Sequence, residues 1–418
     1  MTSSKDIVYV GIDIAKHKND VMVELPNNKR VKFTVINRQE DFEKLAGYLI
    51  SLGHDCQIGL EASGNYHRPL AYYLQKKGFE VYLISSLSLA RTREAIHNSW
   101  DKNDPKDAEV IVHLLKTGIK QRYYDTFIQG FGDAEELSKT HYQVSLAKMK
   151  IQHSLLTHFL PLYFPEVEKY FCSSRAAWFS KVLYHFPSPH HIREMGEELF
   201  IKQAWSLVGR KVAKEQFLKD FYATATKSIG IPVDRNSCAL EMFRRTLKQH
   251  HELCVRRQEL EDLAHQRLKD NRVYQILRTV PGIGPVIALT IISETGEFAR
   301  FKHHRQYLKF CGLDLSTTQS GQFRGQSKLS KRGNRRLRCA YWLASTVAVR
   351  MRENTFREKY HRYILNYPDN ADLKRKAIVA TAAKMARVCY GLVKNLKEYR
   401  PYYDGDMPSG EIRSLCVR

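Results

Sequence analysis

The chain has 418 residues, 43% of them hydrophobic, and single cores stop growing near ~250–300 residues, so more than one domain is expected. Its 67 Lys and Arg against 44 Asp and Glu give a formal net charge of +23, an attraction for polyphosphates that puts nucleic acid first among partners. No apolar run approaches the ~20 residues that span a bilayer, and eight scattered cysteines without a CxxC pair imply neither a zinc knuckle nor a disulfide framework.

The start MTSSKDIVYVGID lacks a signal-peptide pattern, so a soluble, cytoplasmic protein with reduced, mostly buried thiols and no membrane partner is expected. Residues 7–14 (IVYVGIDI), 19–25 (NDVMVEL) and 31–36 (VKFTVI) are short β-rich runs separated by polar punctuation, and they predict an antiparallel opening. The period then changes. DFEKLAGYLISLG reads as an amphipathic helix, QIGLEA as a strand, HRPLAYYLQKKG as a helix, EVYLIS as a strand and PKDAEVIVHLLKTG as a helix. Strands alternating with helices imply parallel crossovers, and three antiparallel strands followed by such units is the element order of an RNase H/RuvC-like mixed sheet.

Four carboxylates fall at chemically useful places on this sketch. Asp13 lies near the end of the first strand, Glu61 at the end of the fourth, and Asp104 and Asp107 open a helix three residues apart, hence on one face. Such acids can hold two Mg²⁺ roughly 3.5–4 Å apart for phosphodiester chemistry. Each also has a structural reading, since Asp104 before Pro105 is a good N-cap and Asp107 complements the helix dipole. Glu61 weighs against that reading, because a charge ending an apolar strand is costly to bury alone. Asp41, Glu43, Asp101 and Glu109 are rival carboxylates nearby.

Residues 133–160 read as a long helix, followed by aromatic, Pro-interrupted text with His185, His190 and His191, which lack partners at metal-ligand spacing and read as a polar cluster. A second long helix covers 239–270, with apolar heptads broken by a phase shift, and a bundle or short coiled coil that brings chains together is expected. VPGIGPVIA at 280–288 joins two helical stretches, and Gly282 and Gly284 would let a backbone approach a phosphate, although a plain helix–helix turn uses the same residues. The segment 319–338 (QSGQFRGQSKLSKRGNRRLR) then carries Arg324, Lys328, Lys331, Arg332, Arg335, Arg336 and Arg338 without an acid, and reads as a flexible track for a phosphate chain. Within it Ser320 is the candidate nucleophile, activated by surrounding positive charge, with Ser316, Ser327 and Ser330 as rivals in the same setting.

YVGIDIAK, LEASGNY and NDPKDAEVI, followed by VPGIGPVIA, FARFKHHRQYLKFCGL, the QSG step and SKLSKRGNRRLRCA, resemble the DEDD transposases of bacterial insertion sequences of the Piv–MooV type. The resemblance covers about 1–120 and 273–352. It implies a RuvC-like domain holding Mg²⁺ on the tetrad Asp13, Glu61, Asp104 and Asp107, and a transposase domain with Ser320 as nucleophile. It implies a DNA recombinase that cuts and rejoins donor and target DNA through a serine–DNA intermediate, guided by a bridge RNA. The expected fold class is α/β plus α. Its divisions are a RuvC-like catalytic domain (1–125), a helical linker and coiled-coil region (126–272), a mostly helical transposase domain (273–395) and a tail (396–418), in a homo-oligomer, a dimer or tetramer. Two rival classes remain: a RuvC-like hydrolytic junction nuclease in which Ser320 is incidental, and a non-catalytic nucleic-acid-binding protein.

Overall fold

The computed structural model describes residues 7–97, 104–171, 176–210, 212–317, 319–320, 323–325, 327–352 and 354–401. The chain divides into two compact units, Met1–Gln129 and Gly130–Arg418. None of the described helices is long and apolar enough to cross a membrane.

In the first unit the period-2 runs form β1 (Ile7–Asp13), β2 (Lys18–Glu24) and β3 (Arg30–Ile36). Then follow α1 (Gln39–Ser51), β4 (Asp55–Glu61), α2 (His67–Lys76), β5 (Glu80–Ile84), α3 (Ser86–His97), α4 (Asp104–Lys116) and β6 (Gln121–Arg122). The spatial order is β3-β2-β1-β4-β5-β6. Strands β1, β4 and β5 run parallel, while β2, β3 and β6 pair antiparallel with their neighbours. This mixed sheet is RNase H/RuvC-like.

Successive side chains of a strand point to opposite faces, and here both faces are covered. Val8, Val10, Ile12, Ile58 and Leu60 pack with Leu45 and Leu49 of α1 and Leu70 and Leu74 of α2. The other face carries Gly11 and Gly59, and α4 rests directly on them. A Cβ on Gly11 would lie 2.2 Å from the Ala108 carbonyl oxygen, and one on Gly59 would meet Ile111 and Leu115. Lys116, at the end of α4, bonds Glu24, which pairs in register with Tyr9 near the start of β1. Helix α4 therefore runs antiparallel to β1, and its first turn lies toward the C-terminal ends of β1 and β4.

The second unit is helical apart from one β arm. It comprises α5 (Gly132–Ser154), α6 (Leu160–Tyr163), α7 (Ala176–His185), α8 (Pro189–Met195), α9 (Glu197–Ala204), α10 (Lys214–Thr226), α11 (Cys238–Leu268), α12 (Arg272–Thr279), α13 (Pro285–Thr295) and α14 (His304–Phe310). The short strands β7 (Leu315–Ser316), β8 (Gln319–Ser320), β9 (Phe323–Arg324) and β10 (Lys328–Leu329) precede α15 (Arg335–Ala348), α16 (Thr355–Ile364) and α17 (Ala371–Lys394).

Two hydrophobic cores lie within this unit. Leu155, Phe164, Phe179, Phe221, Leu240, Phe243 and Leu247 belong to one. Ala134, Ala264, Leu268, Ile291, Tyr307, Tyr341 and Met385 belong to the other. Helices α5 and α11 each contribute one end to each core in opposite order, so they form an antiparallel pair bridging both. Glu261 of α11 ties the pair together, accepting from His141 of α5 at 3.1 Å and from Arg257 at 2.9 Å. Buried positions on α11 stop at His250 and resume at Ala264, which is the phase shift read from its heptads. Between them Val255 and Leu263 are exposed.

The described thiols are all free, but Cys238 and Cys339 are exposed, because they occupy the solvent sides of α11 and α15. The segment after Leu313 carries short strands: Leu315 and Ser316 pair with Leu329 and Lys328, and Gln319 and Ser320 pair with Arg324 and Phe323, giving a β arm.

Candidate active site

Asp13 and Glu61 each stand one residue beyond the register pair Ile12 and Leu60 of the parallel strands β1 and β4. They share the face of Gly11 and Gly59, which is the face that α4 covers. Both are half-buried. Asp107, in the first two turns of α4, is 1% exposed, and Arg93 Nη1 of α3 donates to its two carboxylate oxygens at 2.6 and 2.8 Å. Asp104 is the first residue of α4, and its side chain lies outside the described residues.

The rival acids are spent elsewhere. Asp41 pairs with Arg38 at 2.9 Å and Lys44 at 3.5 Å, Glu43 accepts from Gln39 at 2.9 Å, and Glu109 pairs with Arg30. Asp101 lies outside the described residues. One carboxylate escaped sequence reasoning: Asp20 is the register partner of Asp13 on β2 and accepts from Thr34 Oγ1 at 2.9 Å. Its signal was its place at the polar start of NDVMVEL, immediately before an apolar run. A cavity of about 230 Å³ opens beside it, lined also by Lys32, Thr34 and Ala108.

Among the described residues no three His, Cys, Asp or Glu side chains gather into a metal-holding group. The donor chemistry nevertheless fits a hard divalent cation. Asp13, Glu61 and Asp107 offer only carboxylate oxygens, which such ions prefer. Asp107, buried as it is, already requires a cation, and Arg93 fills that place.

Ser320 stands in β8, paired with Phe323 of β9. Its side chain is exposed and has no hydrogen-bond partner among the described residues. The three rival serines hold the arm together. Ser316 Oγ donates to the Lys328 carbonyl at 3.3 Å, Ser327 shares a bond with Thr317 at 2.8 Å, and Ser330 bonds the Asp314 carboxylate. No general base lies within hydrogen-bond reach of Ser320 among the described residues.

Lys328, Lys331, Arg332 and Arg335 are exposed and without ion-pair partners among the described residues. Arg338 Nη1 donates to the Lys331 carbonyl at 3.1 Å and shapes the base of the arm. Arg324 lies in β9, with its side chain outside the described residues. Arg336 is engaged by protein: it donates to Glu294 Oε1 and to Ser138 Oγ, each at 2.6 Å, and lies 5.6 Å over the Tyr142 ring. Gly282 turns at a φ of 84°, and a Cβ there would lie 2.1 Å from the Ala344 carbonyl oxygen, so the missing side chain lets this turn pack against α15. Gly284 caps α13, with Arg278 Nη1 donating to the neighbouring Ile283 carbonyl at 2.8 Å.

Residues 274–361 match a family described as "Transposase IS116/IS110/IS902 family", and residues 10–165 match a DEDD family of the IS110 type, described as "Transposase". The "Insertion element IS116 uncharacterized 44.8 kDa protein" of Streptomyces clavuligerus is 21% identical over 96% of this chain and 98% of its own length. The "Transposase for insertion sequence element IS1111A" of Coxiella burnetii is 28% identical over 32% of this chain and 36% of that protein. Among solved structures, T. thermophilus RuvC in complex with Holliday junction substrate is similar at a TM-score of 0.21 and 11% identity, over 28% of this chain and 99% of that one.

Proposed function

We propose, from a chain that belongs to the IS110/IS116 transposase family through two matched regions covering more than half its length, that it cuts and rejoins DNA with Ser320 as nucleophile and an Asp13, Glu61, Asp104 and Asp107 tetrad as its metal site. The observation that carries this reading is the contrast among the serines. Ser316, Ser327 and Ser330 use their hydroxyls inside the arm, while Ser320 is exposed and has no hydrogen-bond partner among the described residues.

The reaction is transesterification. Ser320 Oγ forms a bond to a DNA phosphorus as the bond to one strand's oxygen breaks. The serine proton leaves to solvent and the departing strand ends as a hydroxyl. A DNA hydroxyl then attacks the phosphoserine, releases Ser320 and reseals the backbone. One phosphodiester replaces another, so no nucleotide is consumed. Lys331, Arg332 and Arg335 hold phosphates near the arm and offset the charge that builds at phosphorus. Mg²⁺, when bound by the tetrad carboxylates, supplies Lewis-acid stabilisation of developing oxyanions.

A homo-oligomer is part of this proposal. Guidance by a bridge RNA is likewise proposed, with sequence choice delegated to base pairing while the basic arm holds backbone. The test is denaturing electrophoresis of the protein with labelled DNA, copurified RNA and Mg²⁺. A labelled protein band in wild type, absent in Ser320→Ala but kept in Ser316→Ala and Ser327→Ala, supports the nucleophile. Strand cutting that persists in Ser320→Ala without an adduct would make the chain a hydrolytic nuclease instead.

A further inference from the structure

Helices α16 and α17 line an open cavity of about 660 Å³ well away in sequence from the serine arm. Four cations line it, Lys359 and Arg362 from α16 and Lys384 and Arg387 from α17, against one carboxylate, Glu358. Lys359 with Arg362, and Lys384 with Arg387, are each spaced three apart, so each helix turns a double-positive face into the same space.

The two lysines are half-buried. Lys384 Nζ donates to the Thr355 carbonyl at 3.0 Å and lies 5.9 Å over the Phe356 ring, which fixes it at the wall. Burial pushes Lys359 below the usual lysine range, and Arg387, Lys384 and Arg362 add to the shift. Burial does the same to Lys384, where Arg362 and Arg387 outnumber the opposing Glu358. The four cations therefore act on one another within a single space. Side chains arranged this way raise the energy of the empty pocket, and an anion that enters relieves it. Tyr363, 44% exposed, stands at the rim with an aromatic face available to a base.

We propose that the α16–α17 pocket binds a backbone phosphodiester of a nucleic-acid strand, as an anchoring site separate from the serine arm. A cavity of this size admits a phosphate with its flanking sugars, and the surplus of four cations over one carboxylate selects an anion of high charge density. The proposal rests on the reading of this chain as a nucleic-acid enzyme.

The test compares full-length wild type with Lys359→Gln plus Arg387→Gln, leaving the wall lysine Lys384 in place. Binding of a single-stranded DNA and an RNA of equal length is titrated against salt, with melting curves to establish folding. Loss of two phosphate contacts should lower the log K versus log[salt] slope by ~1.4 for single strands. Arg387→Glu alone should weaken binding further than Arg387→Gln, because it adds repulsion. The strand type whose slope falls is the occupant. An unchanged slope in folded variants, with wild type binding steeply, overturns the pocket and leaves the proposed function standing. Wild type that binds neither strand overturns both. Saturation by inorganic phosphate that neither strand displaces would also overturn it, by making free phosphate the ligand.

Discussion

Arg93 and Asp107 form a close ion pair, with Nη1 at 2.6 and 2.8 Å from the two carboxylate oxygens and the side chains 15% and 1% exposed. The pair fastens α3 to the first part of α4. It also gives a buried carboxylate a counter-charge without a metal. An aspartate so placed would be unstable as a lone anion, and whatever displaces Arg93 must itself be a cation.

Arg93→Gln should therefore unfold more readily than wild type in chelator, by about 3–5 kcal/mol, the usual cost of leaving one partner of a buried pair alone. If Asp107 is a metal ligand, Mg²⁺ should recover much of that loss, since a ligand at 100 times its Kd stabilises by about 2.7 kcal/mol. Melting temperatures with and without Mg²⁺ read this directly. A variant that is destabilised but indifferent to Mg²⁺ and Mn²⁺ would remove Asp107 from the proposed metal site.

Gly11→Ala should damage the same site from below. Its Cβ would meet the Ala108 carbonyl oxygen at 2.2 Å, a backbone atom that can move only if α4 moves. Overpacking of this kind costs about 1–3 kcal/mol and shifts the first turn of α4 away from Asp13 and Glu61. Gly59→Ala meets side-chain atoms of Ile111 and Leu115 at 2.8 and 2.9 Å rather than backbone and should cost less. Chemical denaturation of the two variants gives the order, and equal stabilities would contradict it.

Glu24 makes the position of α4 depend on acid. Burial alone would raise its pKa, but bonds from Lys116 and Arg30 more than offset this and hold it below the ordinary glutamate value of 4.5. A group with a depressed folded pKa contributes stability that is full above its unfolded value and is lost as pH falls through the folded one. Glu24→Gln should thus be less stable than wild type at neutral pH, by about 1–3 kcal/mol. The gap should close as pH falls from about 4.5 downward, which paired urea titrations at pH 7 and pH 3 would check.

The sheet was legible in the sequence because β1 and β4 carry near-continuous apolar runs bounded by polar turns, and the amphipathic helices between them repeat at 3.6 residues. The ends of those strands located Asp13 and Glu61. Pairing partners were only partly legible. Arg38 stands only three residues before Asp41 and pairs with it locally, whereas the fold is needed to bring Arg93 of one helix to Asp107 of the next. The arm escaped as well, since each of its strands spans two residues, too few for a period to show. Likewise α5 and α11 could be read as long helices, but their joining of two cores depends on contacts such as His141 to Glu261, 120 residues apart.

The same limit applies to the basic segment, where seven cations looked alike and the structure divides them. Arg332 and Arg335 are exposed, whereas Arg336 binds Glu294 of α13 and Ser138 of α5. Glu294 also accepts from Asn334 at 2.6 Å, and Asn334 caps α15 by accepting from the backbone N–H groups of Arg336 and Leu337. Arg336 is therefore the point where α5, α13 and the start of α15 are joined. Replacing Arg332 and Arg335 with Gln should lower the salt slope of nucleic-acid binding by ~0.7–0.9 for each lost contact, with little change in melting. Arg336→Gln should do the reverse: it should destabilise by about 1–3 kcal/mol, because charge-assisted bonds to a half-buried carboxylate are lost, and leave the slope nearly unchanged. Whatever DNA affinity it loses through partial unfolding should be recovered by stabilising osmolyte, which does not restore a missing phosphate contact. A full-sized slope change in folded Arg336→Gln would instead mean that nucleic acid competes with Glu294 for this guanidinium, and that binding loosens the junction of the three helices.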